Sequence, residues 1–136
     1  MDKPIEEFTS KTMLNAALDV WKKDLFLDDW IIKAKICAPD EFKEEDVCGE
    51  NEFDMVNKCA VIRILDKKYY GDRIMKYCAE KILVHELLHC KYNWLSPPNT
   101  MEGLYMDTLE HSLLEQMAKS LIMVKYGLGL EYFMEK

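Results

Sequence analysis

Residues 81–92 read KILVHELLHCKY. The centre of this stretch places His85 and His89 four residues apart around Glu86, in a segment otherwise as apolar as a buried helix. Residues four apart on a helix lie one turn apart on the same face, so the two imidazoles point in one direction. The stretch therefore predicts a central helix that carries a metal site.

The HExxH spacing indicates a catalytic zinc ion (Zn2+). His85 and His89 would supply two nitrogen ligands, while Glu86 projects beside them and reaches a water on the metal. Zinc lowers the pKa of that water, and Glu86 then takes its proton as general base while the water attacks a polarised carbonyl. Two buried imidazoles beside a buried carboxylate would be costly without such a partner.

A catalytic zinc needs a third protein ligand, which we expect from the next helix. Glu110, His111 and Glu115 follow His89 by 21, 22 and 26 residues. We assign Glu115 as the ligand and His111 as a catalytic hydrogen-bond donor to the developing oxyanion. The reverse assignment stays open, with His111 on zinc and Glu115 orienting His85 or His89. Glu110 is interpreted as a carboxylate near the helix start.

The residues before this stretch predict one helix and a small sheet. Apolar positions at helical spacing indicate a first helix over residues 5–22. Lysines alternate with apolar residues over residues 30–37, which predicts a strand, and the β-branched run 58–65 predicts another. Residues 39–56 read as an acidic loop with a short strand at about 42–47, and the segment up to residue 54 is the candidate for a third strand.

The residues around and after the motif predict two helices. Apolar side chains nearly all round the segment predict the central helix over residues 72–93, which SPPN at 96–99 would stop. The last helix is expected to begin between residues 100 and 108, with a cap at 107–110. Tyr126 would end that helix before Gly127. The element order predicts an α+β fold and a single domain over residues 1–136.

Composition argues against several classes of partner and compartment. The net charge of the 136 residues is −7, with lysines and acids interspersed, which argues against nucleic acid and anionic membrane surfaces. No apolar run approaches the roughly 20 residues that span a bilayer, and the N-terminal residues lack the apolar core of a signal peptide. We expect a soluble, cytoplasmic protein. Five cysteines without a CxxC pair indicate free thiols.

HELLH followed by EHSLLEQMAKSLI resembles the small gluzincin-type zincin metallopeptidases, and most of all the short metallopeptidases encoded by phages and prophages. The matching pieces are a Trp-initiated strand at residues 30–32, the strand at 59–65, HELLH and the His111-to-Glu115 spacing. The resemblance covers residues 26–125. It implies a minimal zincin-like fold, a zinc site, a strand that aligns an extended peptide, and peptide-bond hydrolysis. Nothing matches the longer thermolysin segments that form substrate subsites.

Two functions follow from these patterns. The first is a zinc-dependent peptidase acting on a peptide or protein, with the strand at 59–65 holding substrate by strand addition. Tyr69, Tyr70 and Tyr92 are candidate oxyanion donors in that enzyme. The alternative is a zinc-binding regulatory or interaction protein on the same fold, with weak or no hydrolysis. Glu86 favours catalysis, because zinc binding alone does not need it.

Overall fold

The protein is described here by a computed structural model, which covers residues 3–93 and 101–135. These residues form three α-helices and a three-stranded sheet, so the predicted α+β class is confirmed. The order is α1 (Lys11–Asp24), β1 (Ile31–Cys37), β2 (Gly49–Asp54), β3 (Cys59–Leu65), α2 (Ala79–Lys91) and α3 (Met101–Tyr126). The segment 42–54 supplies the third strand, as predicted, at β2, whereas the short strand predicted at residues 42–47 was wrong.

The sheet is mixed and has the strand order β1-β3-β2. β1 runs parallel to β3, with Ile31 opposite Cys59, and β2 runs antiparallel to β3, with Gly49 opposite Ile64. Because β3 is paired along both sides, it cannot accept a further strand. The expectation that residues 59–65 hold substrate by strand addition was therefore wrong, and β2 is the edge strand nearest the candidate site.

Helix α2 lies at the centre of the core, as its all-round apolar pattern predicts. Leu83, Val84 and Leu87 have no exposed area. Each such side chain contributes about 1.5–3 kcal/mol of burial free energy. The facing side of α3 is equally buried and consists of Leu114, Ala118 and Ile122. This packing fixes α3 against α2 and thereby brings the polar residues of the two helices together.

Helix α2 begins at Ala79, and the predicted start at residue 72 was wrong. The N–H groups of Ala79 and Glu80 donate to the carbonyls of Glu6 and Ile5, both at 3.0 Å. These bonds satisfy donors that every helix start leaves without an intrahelical partner. The acceptors lie more than 70 residues earlier in the chain, so the local sequence around residue 72 gives no sign of them.

The other helix ends differ in part from the predicted ones. α1 begins at Lys11 instead of residue 5, because the Ser10 hydroxyl accepts from the Met13 N–H at 3.1 Å and caps the helix there. α3 begins at Met101, inside the predicted range of residues 100–108, but the cap predicted at 107–110 was wrong. Gly127 follows the last residue of α3 with φ +66°, as predicted. The predicted stop at 96–99 lies outside the described residues.

All five cysteines are free thiols, as predicted, and Cys37, Cys78 and Cys90 are buried. Across residues 3–93 and 101–135, none of the helices combines the length and the apolar character that crossing a bilayer requires.

Candidate metal centre

The candidate site lies between two ladders of polar side chains on α2 and α3. Lys81, His85 and His89 follow one another at four-residue spacing on α2, and His111 and Glu115 do so on α3. Lys81 contacts Glu115 at one end of the site, and His89 and His111 lie together at the other, so the two helices run antiparallel here. Four-residue spacing keeps each ladder on one face of its helix. The contacts between the helices show that these two faces are turned toward each other.

Three histidines converge at the centre of these ladders. One ligand atom from each of His85, His89 and His111 lies within 4.8 Å of the others. The Nε2 atoms of His85 and His89 are 3.3 Å apart. Two imidazole nitrogens on one tetrahedral zinc ion are also about 3.3 Å apart, since each Zn–N bond is about 2.05 Å. His111 is half exposed, so its ring has room to close on an ion held by the other two histidines.

A carboxylate stands behind each of the two α2 imidazoles. Glu115 Oε1 lies 2.9 Å from His85 Nδ1, and Glu110 Oε1 lies 3.3 Å from His89 Nδ1. With protons on both Nδ1 atoms, both Nε2 atoms present lone pairs to each other across 3.3 Å. A cation between them satisfies both lone pairs at once. The donor set therefore fits a divalent cation, and these three histidines could bind one.

Glu110 contacts the candidate site, which the sequence did not predict. It lies inside α3, well after the helix start at Met101, so its interpretation as a helix-start carboxylate was wrong. Its 8% exposed surface and its contact with His89 make it part of the site. Burial raises the pKa of Glu110. The sequence signal was its distance of 21 residues from His89, close to the 22 and 26 residues of the other two candidates, His111 and Glu115.

Glu115 does not lie among the three histidines. Its carboxylate accepts from Lys81 Nζ at 2.7 Å through Oε2, and its Oε1 lies on His85 Nδ1. Burial raises the pKa of Glu115, but the hydrogen bond from His85 and the charge of Lys81 outweigh it and lower the pKa to about 2. This arrangement is the one expected of a carboxylate that orients His85. The metal-ligand role predicted for Glu115 stays a prediction, as does the oxyanion role of His111.

His89 and Glu86 have pKa values shifted in opposite directions by burial. Burial, together with the neighbouring His85 and His111, lowers the pKa of His89 to about 3, so its ring is neutral and offers a lone pair at neutral pH. Burial raises the pKa of Glu86 to about 7 and outweighs the opposing charge of His85. A carboxylate with such a pKa exchanges a proton readily near neutral pH.

Comparison with family models, with curated proteins and with solved structures finds no match for this chain.

Gly49 places the edge strand β2 directly against Glu86. A Cβ atom at Gly49 would lie 2.7 Å from Glu86 Oε2 and 2.8 Å from Ile82 Cγ2. Separations under 3.0 Å are closer than real side chains show, so a methyl group there must displace its neighbours. Asn51 secures the same contact, because its Nδ2 donates to the Glu86 carbonyl at 2.6 Å. Neither residue was identified from the sequence, because their partners lie on a distant helix.

A cleft of about 340 Å³ opens between β2 and the two ladders. It is lined by all three histidines and by Glu86 from the helices, and by Gly49 and its neighbours from β2. Leu65 N donates to Cys48 O, so residues 48 and 65 form a hydrogen-bonded pair. Hydrogen-bonded and non-hydrogen-bonded pairs alternate along an antiparallel ladder, so the backbone groups of residues 49, 51 and 53 point away from β3. Among the described residues that line the cleft there is no tyrosine, so the predicted oxyanion donors Tyr69, Tyr70 and Tyr92 lie elsewhere.

Proposed function

We propose that this chain is a zinc-dependent peptidase of the zincin type, with His85, His89 and His111 as the zinc ligands. The observation that carries the proposal is the convergence of three imidazoles, two of them backed by buried or half-buried carboxylates. Three histidines with one open position form a common catalytic zinc site. Glu115 and Glu110 then hold the rings of His85 and His89 in the tautomer that leaves Nε2 free for the metal.

Glu86 is the general base in this proposal. Its carboxylate lies in the cleft beside the histidines and against β2. Zinc bound at the histidines supplies a Lewis acid that polarises a carbonyl and acidifies a water molecule. Glu86 takes a proton from the attacking water as the new C–O bond forms, and it delivers that proton to the amine nitrogen as the C–N bond breaks.

The edge strand β2 orients the substrate in this proposal. The outward backbone groups of residues 49, 51 and 53 can pair with an extended peptide, as strand addition requires. The peptide would then cross Glu86 at Gly49, where the strand comes closest to the base. The proposed substrate is accordingly an extended segment of a peptide or protein.

The first experiment measures zinc and hydrolysis separately. Protein freed of metal and reloaded should hold about one zinc per chain. Glu86→Gln should keep that zinc and lose cleavage of a mixed peptide library followed by mass spectrometry. Glu45→Gln, an exposed glutamate in the acidic loop, is the matched control and should retain both. The proposal would be overturned if neither the parent protein nor Glu86→Gln bound zinc, or if Glu86→Gln cleaved the library as well as the parent protein does.

The second experiment identifies the third ligand. His111→Ala removes a proposed ligand, whereas Glu115→Ala removes a partner of a ligand, a change that typically lowers metal affinity about 10–100-fold. We expect the larger loss of zinc affinity from His111→Ala, measured by competition with a chromophoric chelator. The opposite ranking would move Glu115 onto the metal.

A further inference from the structure

Lys81 is a nearly buried lysine that the proposed hydrolysis does not use. Its side chain is 11% exposed, and it reaches from α2 across to Glu115 on α3. A lysine is rarely buried without a partner, because removing an ammonium group from water is costly. Glu115 is that partner, since its Oε2 accepts a 2.7 Å hydrogen bond from Lys81 Nζ. The position of Lys81 one turn before His85 places it in the ladder that carries the proposed ligands.

The two oxygens of Glu115 have separate partners. Oε2 accepts from Lys81, and Oε1 lies 2.9 Å from His85 Nδ1. Rotation about the last side-chain bond would exchange the two oxygens or turn both of them away from His85. The side chain of Glu115 is 24% exposed, so water competes for the carboxylate when either partner is lost. Lys81 thus fixes the rotation that keeps Oε1 on His85.

We infer that Lys81 is a positioning residue for the metal site, acting through Glu115 on the ring of His85. The inference rests on the proposed function, because it needs His85 to be a ligand. Lys81 itself touches neither the metal nor the substrate in this scheme. It holds the carboxylate that holds the imidazole, and so keeps Nε2 of His85 aimed at the centre of the three histidines.

The direction of the change in zinc affinity distinguishes this positioning role from simple charge repulsion. A positive charge near a bound divalent cation repels it, so charge alone predicts that removing the ammonium group of Lys81 tightens zinc binding. Positioning predicts the opposite, because a free Glu115 no longer fixes the ring of His85. The two explanations therefore differ in direction and not merely in size.

The test is a double-mutant cycle on zinc affinity. Lys81→Met should weaken zinc binding about tenfold, and Glu115→Ala should weaken it at least as much. Because Lys81 acts through Glu115, adding Lys81→Met to Glu115→Ala should cause no further loss. Lys81→Arg, which keeps a donor for Glu115, should bind zinc within about threefold of the parent protein. Cobalt-loaded Lys81→Met should also show an altered visible absorption spectrum, since the spectrum follows ligand geometry.

Lys76→Met is the matched control. Lys76 is a mostly buried lysine whose Nζ lies 2.8 Å from Glu6, and neither residue lines the cleft. This variant loses a comparable ion pair and should leave zinc affinity and the cobalt spectrum unchanged. If the parent protein binds no zinc, the proposed function fails. If the parent protein binds zinc and Lys81→Met binds it equally well or more tightly, only the role of Lys81 is refuted.

Discussion

Glu80 offers the sharpest test of what holds the helices together. Its carboxylate has 1% exposed surface and accepts from Trp21 Nε1 at 2.8 Å, from the Ile5 N–H at 2.7 Å and from the Tyr126 hydroxyl at 2.7 Å. These donors belong to α1, to the segment before it and to α3, while Glu80 lies in the first turn of α2. One carboxylate thus joins four parts of the chain.

The cost of Glu80→Ala follows from these bonds. Hydrogen bonds to a charged group contribute about 1.5–3 kcal/mol each, and their loss also leaves buried donors without acceptors. Because the three bonds share one carboxylate, we expect a total loss of about 3–5 kcal/mol, as for other broken buried ionic networks. A domain has about 5–15 kcal/mol of unfolding free energy in all. The melting temperature should fall by about 10 °C or more.

Urea unfolding followed by far-ultraviolet circular dichroism measures this loss. Glu80→Gln keeps the volume and one acceptor oxygen, so it should lose less than Glu80→Ala. Glu7→Ala, at an exposed position, should change the unfolding free energy by no more than about 0.5 kcal/mol. A Glu80→Ala protein within about 1 kcal/mol of the parent would show that the reasoning about this buried network is mistaken.

Two further predictions concern the cleft and the pH dependence of stability. Gly49→Ala should abolish peptide cleavage while zinc stays bound, since its methyl group displaces the Glu86 carboxylate. Gly129→Ala is the control and should cleave normally, because its methyl group contacts only an exposed carboxylate far from the cleft. Burial raises the pKa of Glu6, but its bonds to Lys76 and Tyr132 outweigh this and lower it. Glu6→Gln should therefore lose about 1 kcal/mol at pH 7. In urea titrations that difference should vanish as the pH falls below the ordinary glutamate value of 4.5, because only the ionised carboxylate is stabilised.

The features that the sequence predicts well are those set by local periodicity. Helix α2 and the strands β1 and β3 have continuous or alternating apolar patterns, and the structure has elements at all three places. The relative placement of His85, Glu86 and His89 also follows from helix geometry alone. Their common orientation needs nothing beyond the helix that carries them.

The features that the sequence predicts poorly depend on distant partners. Strand β2 reads GENEFD, and its polar composition is not typical of a strand. Its stability comes from pairing with β3 and from the hydrogen bond of Asn51 to α2. The start of α2 depends on carbonyls from the first residues of the chain. Glu110 contacts His89 because α3 packs against α2, and the local sequence does not determine how two helices pack on each other.

The outer edge of β2 has a consequence for self-association. A strand edge that is open to an extended peptide is equally open to the same edge of a second molecule. The exposed acidic residues 44–46 stand beside that edge, tied to it by the bond from Glu44 N to Glu50. Two molecules that paired edge to edge would bring their acidic runs together, and each molecule already carries a net charge of −7. Electrostatic repulsion between these runs at neutral pH therefore opposes edge-to-edge pairing of two molecules.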